Sequence, residues 1–333
     1  MPIQTKTILL TRADLEPLLT LDDCIPAVEQ AFRAHGEGRV APPGLLHVEA
    51  PKGEFHVKAG VAAPDGHPYF AIKVNGGFFG NRTNFGMANI QGLVLLCDGE
   101  NGYPLAVMDS KAITVKRTGA ATAVAAKYLA RPDSRVATIC GCGTQGAIQL
   151  EALLKQFPLE QVYAHSRSTQ SMERFSMECR SRFGIKVDPA ADLRAAMAVT
   201  DICITCTPSK EPFLLRDYVR AGTFIAAVGA DSPDKQELEP SLLKGNKVVA
   251  DILEQCVHVG EIHHAIAGGL IHASDVHAEL GSILAGHRAG RTNAEEIIVF
   301  DSTGTALQDL AAAMLVYGKA KLGNYPQMDF FAS

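Results

Sequence analysis

Residues 135–154 read RVATICGCGTQGAIQLEALL. Val136, Ala137, Ile139 and Cys140 form an apolar, β-favouring run, and Ile148, Leu150, Leu153 and Leu154 recur at helical spacing beyond it. Between them lies Gly141-Cys142-Gly143-Thr144-Gln145-Gly146, so the stretch predicts strand, glycine turn and helix. In that context G-x-G-x-x-G is a dinucleotide fingerprint. Gly141 allows the tight turn, Gly143 lets the backbone approach a pyrophosphate, Gly146 lets helix and strand pack closely, and the helix N-terminus offers N–H donors. The same glycines without the flanking strand and helix would say little.

Downstream, apolar runs at 161–164, 185–187, 201–205, 224–228, 247–251 and 297–300 predict strands. Helical patterns at 171–183, 190–198 and 306–317 alternate with them. Such alternation implies an α/β fold with a doubly wound, Rossmann-type parallel sheet that places binding groups beyond the carboxyl ends of its strands. The loops 205–209 (TCTPS), 229–233 (GADSP) and 301–305 (DSTGT) therefore matter, and Ser302 or Thr303 is expected to cap the last helix. NAD-preferring folds usually carry an acid at the tip of the second strand. Here the tip reads Ala164-His165-Ser166-Arg167-Ser168, and Arg167 with the hydroxyls of Ser166 and Ser168 suits a 2′-phosphate. NADP(H) is favoured, with NAD(H) as the alternative.

Upstream, 14–34 predicts two short helices with a break and N-cap at Leu21-Asp22-Asp23. From 45 to 109 the period changes to two, with strands at 54–59, 69–74, 90–96 and 105–108 and an Asn101-Gly102 turn. An antiparallel sheet is expected ahead of the nucleotide domain. Glu54, His56 and Lys58 alternate away from Phe55, Val57 and Ala59, and Lys73 away from Phe70, Ile72 and Val74. That polar face is either a substrate wall or a solvated surface. An alanine-rich helix over 114–130 puts Arg117 in its first turn, where the helix dipole disfavours a cation.

With 47% hydrophobic and 20% charged residues in 333, the chain reads as an ordinary globular protein, and the length favours two domains. A net charge of −5 gives no basic footprint for nucleic acid or an anionic membrane. The opening MPIQTKTILLTRADLE shows no secretory signal or spanning segment. Eight cysteines suggest reduced thiols and a cytoplasmic protein, and Cys203-x-x-Cys206 lies in a strand-like run, as buried structural thiols would. His258, Glu261, His263, His264, His272, Asp275 and His277 cluster in sequence but lack a ligand spacing such as H-E-x-x-H. No metal is expected.

Together, Lys73-Val74-Asn75 with Asn81-Arg82, Val115 to Ala121, Gly141 to Gly146, and Val228 to Asp231 through Lys235-Gln236-Glu237-Leu238 make the chain resemble the ornithine cyclodeaminase/μ-crystallin family over nearly its whole length. The resemblance implies a substrate-binding and dimerisation domain from residues 1–117 and 303–333, a Rossmann domain over 118–302, and a homodimer. It also implies roles. Lys73 and Arg117 would bind a substrate carboxylate, with Arg82 assisting, and Asp231 would exchange a proton with a substrate nitrogen. Thr144 and Gln145 would touch the pyrophosphate, Thr207 and Val228 the nicotinamide side, and Ser302 and Thr303 the cofactor and substrate. Glu54 would stand on the substrate side. Ser166 replaces the ribose-binding acid of the NAD-using cyclodeaminases, and Asn89 stands at a cofactor position where they carry Thr. The implied activity is NAD(P)H-dependent reduction of cyclic ketimine acids. Ornithine cyclodeaminase, a dehydrogenase of alanine or another open-chain amino acid, and an NADPH-binding protein are its rivals.

Overall fold

The computed structural model describes residues 6–63 and 66–331; the outer ends of the expected first domain, 1–5 and 332–333, lie outside the described residues. The chain opens with β1 (Thr7–Leu10), α1 (Arg12–Leu18) and α2 (Leu21–Gly36). Strands β2 (Gly44–Ala50), β3 (Gly53–Ala62) and β4 (Tyr69–Gly77) follow, then the short α3 (Asn81–Phe85), β5 (Ile90–Asp98) and β6 (Pro104–Asp109). Helix α4 (Ser110–Leu129) leads to β7 (Val136–Cys140), α5 (Thr144–Leu154), β8 (Gln161–His165), α6 (Thr169–Phe183), β9 (Lys186–Pro189), α7 (Leu193–Met197), β10 (Ile202–Thr205), β11 (Phe224–Ala227) and β12 (Lys247–Ala250). The remainder is α8 (Leu253–Cys256), α9 (Glu261–Ala267), β13 (Ala278–Glu279), α10 (Leu280–Leu284), β14 (Ile298–Asp301), α11 (Ala306–Ala320) and β15 (Gln327–Met328). The fold divides into two compact units: one runs up to Arg117 and resumes at Thr305, the other is Thr118–Gly304.

The second unit is an all-parallel eight-stranded sheet in the order β13-β12-β14-β11-β10-β7-β8-β9. Its central strands read as unbroken buried runs, as strands covered on both faces must. Strand order reverses beside β7, which puts the glycine turn at the switch point where such sheets bind ligands.

The first unit is a seven-stranded sheet in the order β15-β1-β6-β5-β4-β3-β2. It is mostly antiparallel, but β1 runs parallel to β6, which the expected antiparallel sheet did not include. α11 packs on β3, β4 and β5. It covers the face with Gly60, where a Cβ would come within 3.3 Å of the Ala306 Cβ. Gly60, Lys58, Lys73, Ala71, Val94 and Leu96 share that face by register. The opposite, apolar face is exposed: Leu46, Val48, Phe55, Val61, Val74 and Leu93 all show more than a third of their surface. The usual amphipathic assignment is thus inverted, and a solvated polar face is ruled out for Lys58 and Lys73.

Several local expectations shift. α2 is a full helix capped by Thr20, whose hydroxyl accepts from Asp23 N, rather than by Leu21-Asp22-Asp23. α4 begins at Ser110, so Arg117 lies beyond its first turn and escapes the unfavourable end of the dipole. The residue ahead of α11 is Thr305, not Ser302 or Thr303. Cys203 is on β10, Cys206 one residue beyond it, and all eight cysteines are free.

Candidate active site

In the Thr118–Gly304 unit, the glycine turn has the geometry its sequence implies. Gly141 has φ +123°, and a Cβ there would come within 2.7 Å of Cys206 O. A Cβ at Gly146 would lie 2.1 Å from Gly141 O, so α5 can approach β7 only with glycine there. Gly143 faces open space and occupies the N-cap of α5, which leaves the first amides without a side-chain cap. Thr144 is exposed beside them, and Gln145 Oε1 is buried with no hydrogen-bond partner among the described residues. An uncapped helix N-terminus beside an open glycine and an orphaned amide fits an anionic pyrophosphate. At the tip of β8, Ser168 Oγ caps α6 by accepting from Ser171 N at 3.3 Å, and Ser166 Oγ accepts from Ser168 N at 3.4 Å. Arg167 stands exposed between them.

The loops after β10 and β11 are fastened by a residue to which the sequence assigned no role. Glu237 Oε1 accepts from Thr207 N at 2.6 Å and from its hydroxyl at 2.7 Å, while Oε2 accepts from Gly229 N at 2.9 Å. Burial pushes its carboxyl up to about 7, against the pull of those donors. Glu261 supports it from behind, accepting from Glu237 N at 2.7 Å. Asp231, two residues past Gly229, pairs with Lys235 Nζ at 2.5 Å and keeps 45% of its side chain exposed. Val228 closes β11, its amide donating to Thr205 O at 2.8 Å.

Thr303 turns inward: its hydroxyl donates to Asp251 Oδ1 at 2.9 Å and accepts from Gln255 Nε2 at 2.8 Å. Ser302 is buried, its amide donating to Ala227 O. In the histidine-rich stretch, His263, His264 and His277 each turn a ring nitrogen to a backbone carbonyl, and Glu261 serves Glu237.

In the other unit, Lys73 and Arg117 converge on one buried acid. Lys73 Nζ is 2.6 Å from Asp309 Oδ2, and Arg117 Nε is 2.9 Å from Oδ1. Arg117 Nη1 donates to Gln308 Oε1 at 2.5 Å. Lys58 is the direct cross-strand partner of Lys73, so three cations face one carboxylate. Burial, then Arg117, drives the Lys73 ammonium down to about 7, with Asp309 opposing. Burial raises Asp309, but Arg117 and Lys73 outweigh it and hold the carboxyl below its ordinary value. The cluster carries surplus positive charge in a low-dielectric interior, where an added anion would be favoured. Arg82 is exposed on α3, and its amide donates to Asn89 Oδ1 at 3.1 Å. Asn89 therefore shapes that loop. Glu54 lies on the Lys73 face, beside His47 and His56.

The doubly wound parallel sheet with its glycine turn defines a dinucleotide-binding protein of the Rossmann class. Residues 5–324 match the model of the ornithine cyclodeaminase/mu-crystallin family. The chain is 39% identical to an alanine dehydrogenase of Archaeoglobus fulgidus over 323 residues, 95% of each. Among solved structures, an archaeal alanine dehydrogenase dimer with bound NAD superposes with TM-score 0.92 at 40% identity, covering 98% of this chain and 100% of that one. The Δ1-pyrroline-2-carboxylate reductase of Thermococcus litoralis, in complex with NADH and L-proline, gives 0.89 at 33% identity, covering 95% and 98%. The protein belongs to the ornithine cyclodeaminase/mu-crystallin family, a family of NAD(P)-dependent amino- and imino-acid oxidoreductases.

Proposed function

We propose that the protein is an NAD(P)H-dependent reductase of cyclic ketimine acids, of the Δ1-pyrroline-2-carboxylate or Δ1-piperideine-2-carboxylate type. The observation that carries this reading is the buried Lys73–Arg117 pair aligned on Asp309, a clamp suited to a planar carboxylate. Nicotinamide, when bound, supplies the hydride chemistry. Lys73 and Arg117 hold the substrate carboxylate with Arg82 assisting, Glu54 stands on the substrate side, and Asp231 carries the proton of the ring nitrogen. Thr144 and Gln145 meet the pyrophosphate. Thr207 and Val228, set by Glu237, line the nicotinamide side, with Ser302, Thr303 and Asn89 in supporting positions. Residues 1–117 and 303–333 serve substrate and dimer, and 118–302 the cofactor.

The similarity to alanine dehydrogenase favours a second reading, in which the same imine carbon next to a carboxylate is reduced but nitrogen arrives as free ammonia. Offering NADPH or NADH with pyrroline-2-carboxylate, with pyruvate plus ammonia, and NAD⁺ with ornithine separates them. Cofactor oxidation with the cyclic imine alone supports the reductase; oxidation only with pyruvate and ammonia supports the dehydrogenase. Proline from ornithine without net cofactor change would mean a cyclodeaminase, and tight NADPH binding without turnover a binding protein.

We infer NADP(H) as the preferred cofactor from Ser166-Arg167-Ser168, although three solved relatives hold NAD or NADH. Replacing Ser166 by Asp together with Arg167→Ala should move the NADPH/NADH ratio of kcat/KM towards NADH by about 10- to 100-fold, since one charge-assisted contact is worth about 1.5–3 kcal/mol. A wild-type preference for NADH would sink the inference.

The partner of the exposed apolar sheet face is proposed to be a second copy of the chain, in keeping with the archaeal relative being a dimer. Patches of this kind are seldom left open on monomers. Leu93→Asp, at a residue 56% exposed, should give a monomer in sedimentation experiments. A dimer of unchanged affinity would place the interface elsewhere. No helix among the described residues is long and apolar enough to cross a membrane. The eight free thiols favour a cytoplasmic location.

A further inference from the structure

Among the described residues β2 is an edge strand, paired within the sheet only with β3. On the face that carries Lys58, two successive cross-strand pairs are chemically matched: His47 opposes His56, and Glu49 opposes Glu54. Two carboxylates directly opposite each other are repulsive when nothing lies between them. The imidazole rings are 4.7 Å apart between centroids. Glu54 joins them, with Oε2 3.3 Å from His47 Nε2 and Oε1 3.1 Å from His56 Nε2. The geometry points to a divalent transition-metal site formed by His47, Glu54 and His56, with Glu49 the cross-strand neighbour of Glu54.

A tetrahedral zinc ion with bonds of about 2.0–2.1 Å holds its donor atoms roughly 3.3–3.4 Å apart. Each imidazole nitrogen lies about one such edge from a Glu54 oxygen, His47 from Oε2 and His56 from Oε1, and one ligand atom from each residue lies within 4.8 Å of the others, so a small side-chain adjustment brings the three onto one ion. Two imidazole nitrogens with a carboxylate oxygen form a donor set that suits zinc or a neighbouring first-row ion over magnesium or calcium. The β-ladder already holds all three side chains on adjacent strands, so little chain entropy opposes binding. Their side chains are 16–31% exposed, sheltered yet open to an entering ion. At neutral pH the two carboxylates attract a dication and counter the nearby Lys58, and the ion relieves the Glu49–Glu54 repulsion. The expectation of no metal rested on the 258–277 histidines, whereas this trio is assembled by strand pairing. The site shares Glu54 with the proposed substrate side, and among the described residues it fastens an edge strand that has one neighbour.

Cobalt(II) added to chelator-treated full-length protein tests it. The expected result is a visible d–d band that saturates at one ion per chain, is displaced by zinc, and is accompanied by a rise in Tm. His47→Ala and His56→Ala should each weaken binding by more than the roughly 10- to 100-fold that loss of an outer-shell partner costs. His67→Ala, at a histidine paired with Asp98, should leave the band unchanged. Retained NADPH binding and circular dichroism show that the variants fold, and Glu54→Gln serves if either histidine variant does not. Absence of a saturable band, or a band that survives every ligand variant, overturns the proposal. It would also return Glu54 to the substrate-side role alone, without touching the reductase assay.

Discussion

Lys73→Met is expected to lower kcat/KM for the imino-acid substrate by about 10²- to 10⁴-fold, with NADPH affinity within about threefold of wild type. The scale is that of removing one partner of a buried charge pair made with a bound carboxylate, about 2–5 kcal/mol, at about 1.4 kcal/mol per decade. Arg117→Met should fall in the same range, and Arg117→Lys should recover little, because a lysine has no planar fork to share between Asp309, Gln308 and a substrate carboxylate. Neither single variant strands Asp309, which keeps the other cation. Loss of activity should therefore exceed loss of stability, and parallel Tm measurements separate the two. A variant that keeps wild-type kcat/KM removes its cation from substrate binding.

The pH dependence carries a sign. With the Lys73 ammonium lowered to about 7 by burial and then by Arg117, the cation is present below that pH and lost above it. kcat/KM should therefore fall as pH rises through about 7. A bound carboxylate stabilises the cation, so the corresponding limb in kcat should lie higher, and Lys73→Met should abolish both. Stability moves oppositely. Between about 7 and the ordinary 10.5 the unfolded chain binds the extra proton, so the Lys73 contribution becomes more favourable as pH rises.

The parts of this protein legible in its sequence are those whose meaning is local. Gly141, Gly143 and Gly146 declare a turn that only flanking strand and helix need to support, and the β-α alternation after them implies a parallel sheet whatever its strand order. Motif resemblance singled out Lys73 and Arg117, but the environment that surrounds them was not legible. Asp309 lies 192 residues from Arg117, and nothing in QDL at 308–310 marks it as the acid on which two cations converge. Glu237 is similar: its importance comes from holding Thr207, 30 residues earlier, together with Gly229. Alternation in β3 and β4 gave two faces correctly but not which one is covered. α11, arriving from the far end of the chain, takes the polar face for the clamp and leaves the apolar one exposed. An acid at 237 flanked by the fully buried Leu238 was the available hint, since a charge beside a core position is kept only when it is fully bonded.

Asp231→Asn is expected to reduce kcat by about 10²- to 10⁴-fold, the usual worth of a positioned proton-transfer group, while leaving the NADPH dissociation constant nearly unchanged. The reasoning starts from how the loop is held. Glu237 fixes Gly229 N and both the amide and hydroxyl of Thr207, so the backbone leading to Asp231 is set without help from the Asp231 side chain. Asparagine is isosteric, and the loop should therefore survive. The carboxylate itself is engaged by Lys235 in a partly exposed pair, and pairs of that kind contribute only about 0–1 kcal/mol. Lys235 can thus yield to a substrate nitrogen at small cost, leaving Asp231 to hold or release its proton. An amide cannot do so, and the imine nitrogen would be left to solvent as the hydride is transferred. Lys235→Met gives the contrast: it removes the partner and keeps the acid, so its kcat should stay within about tenfold of wild type. Fluorescence titration of NADPH and steady-state turnover on one preparation of each variant decide the matter. An Asp231→Asn enzyme with wild-type kcat would take this carboxylate out of the mechanism, and one that loses NADPH binding would make it a structural residue of the cofactor loop.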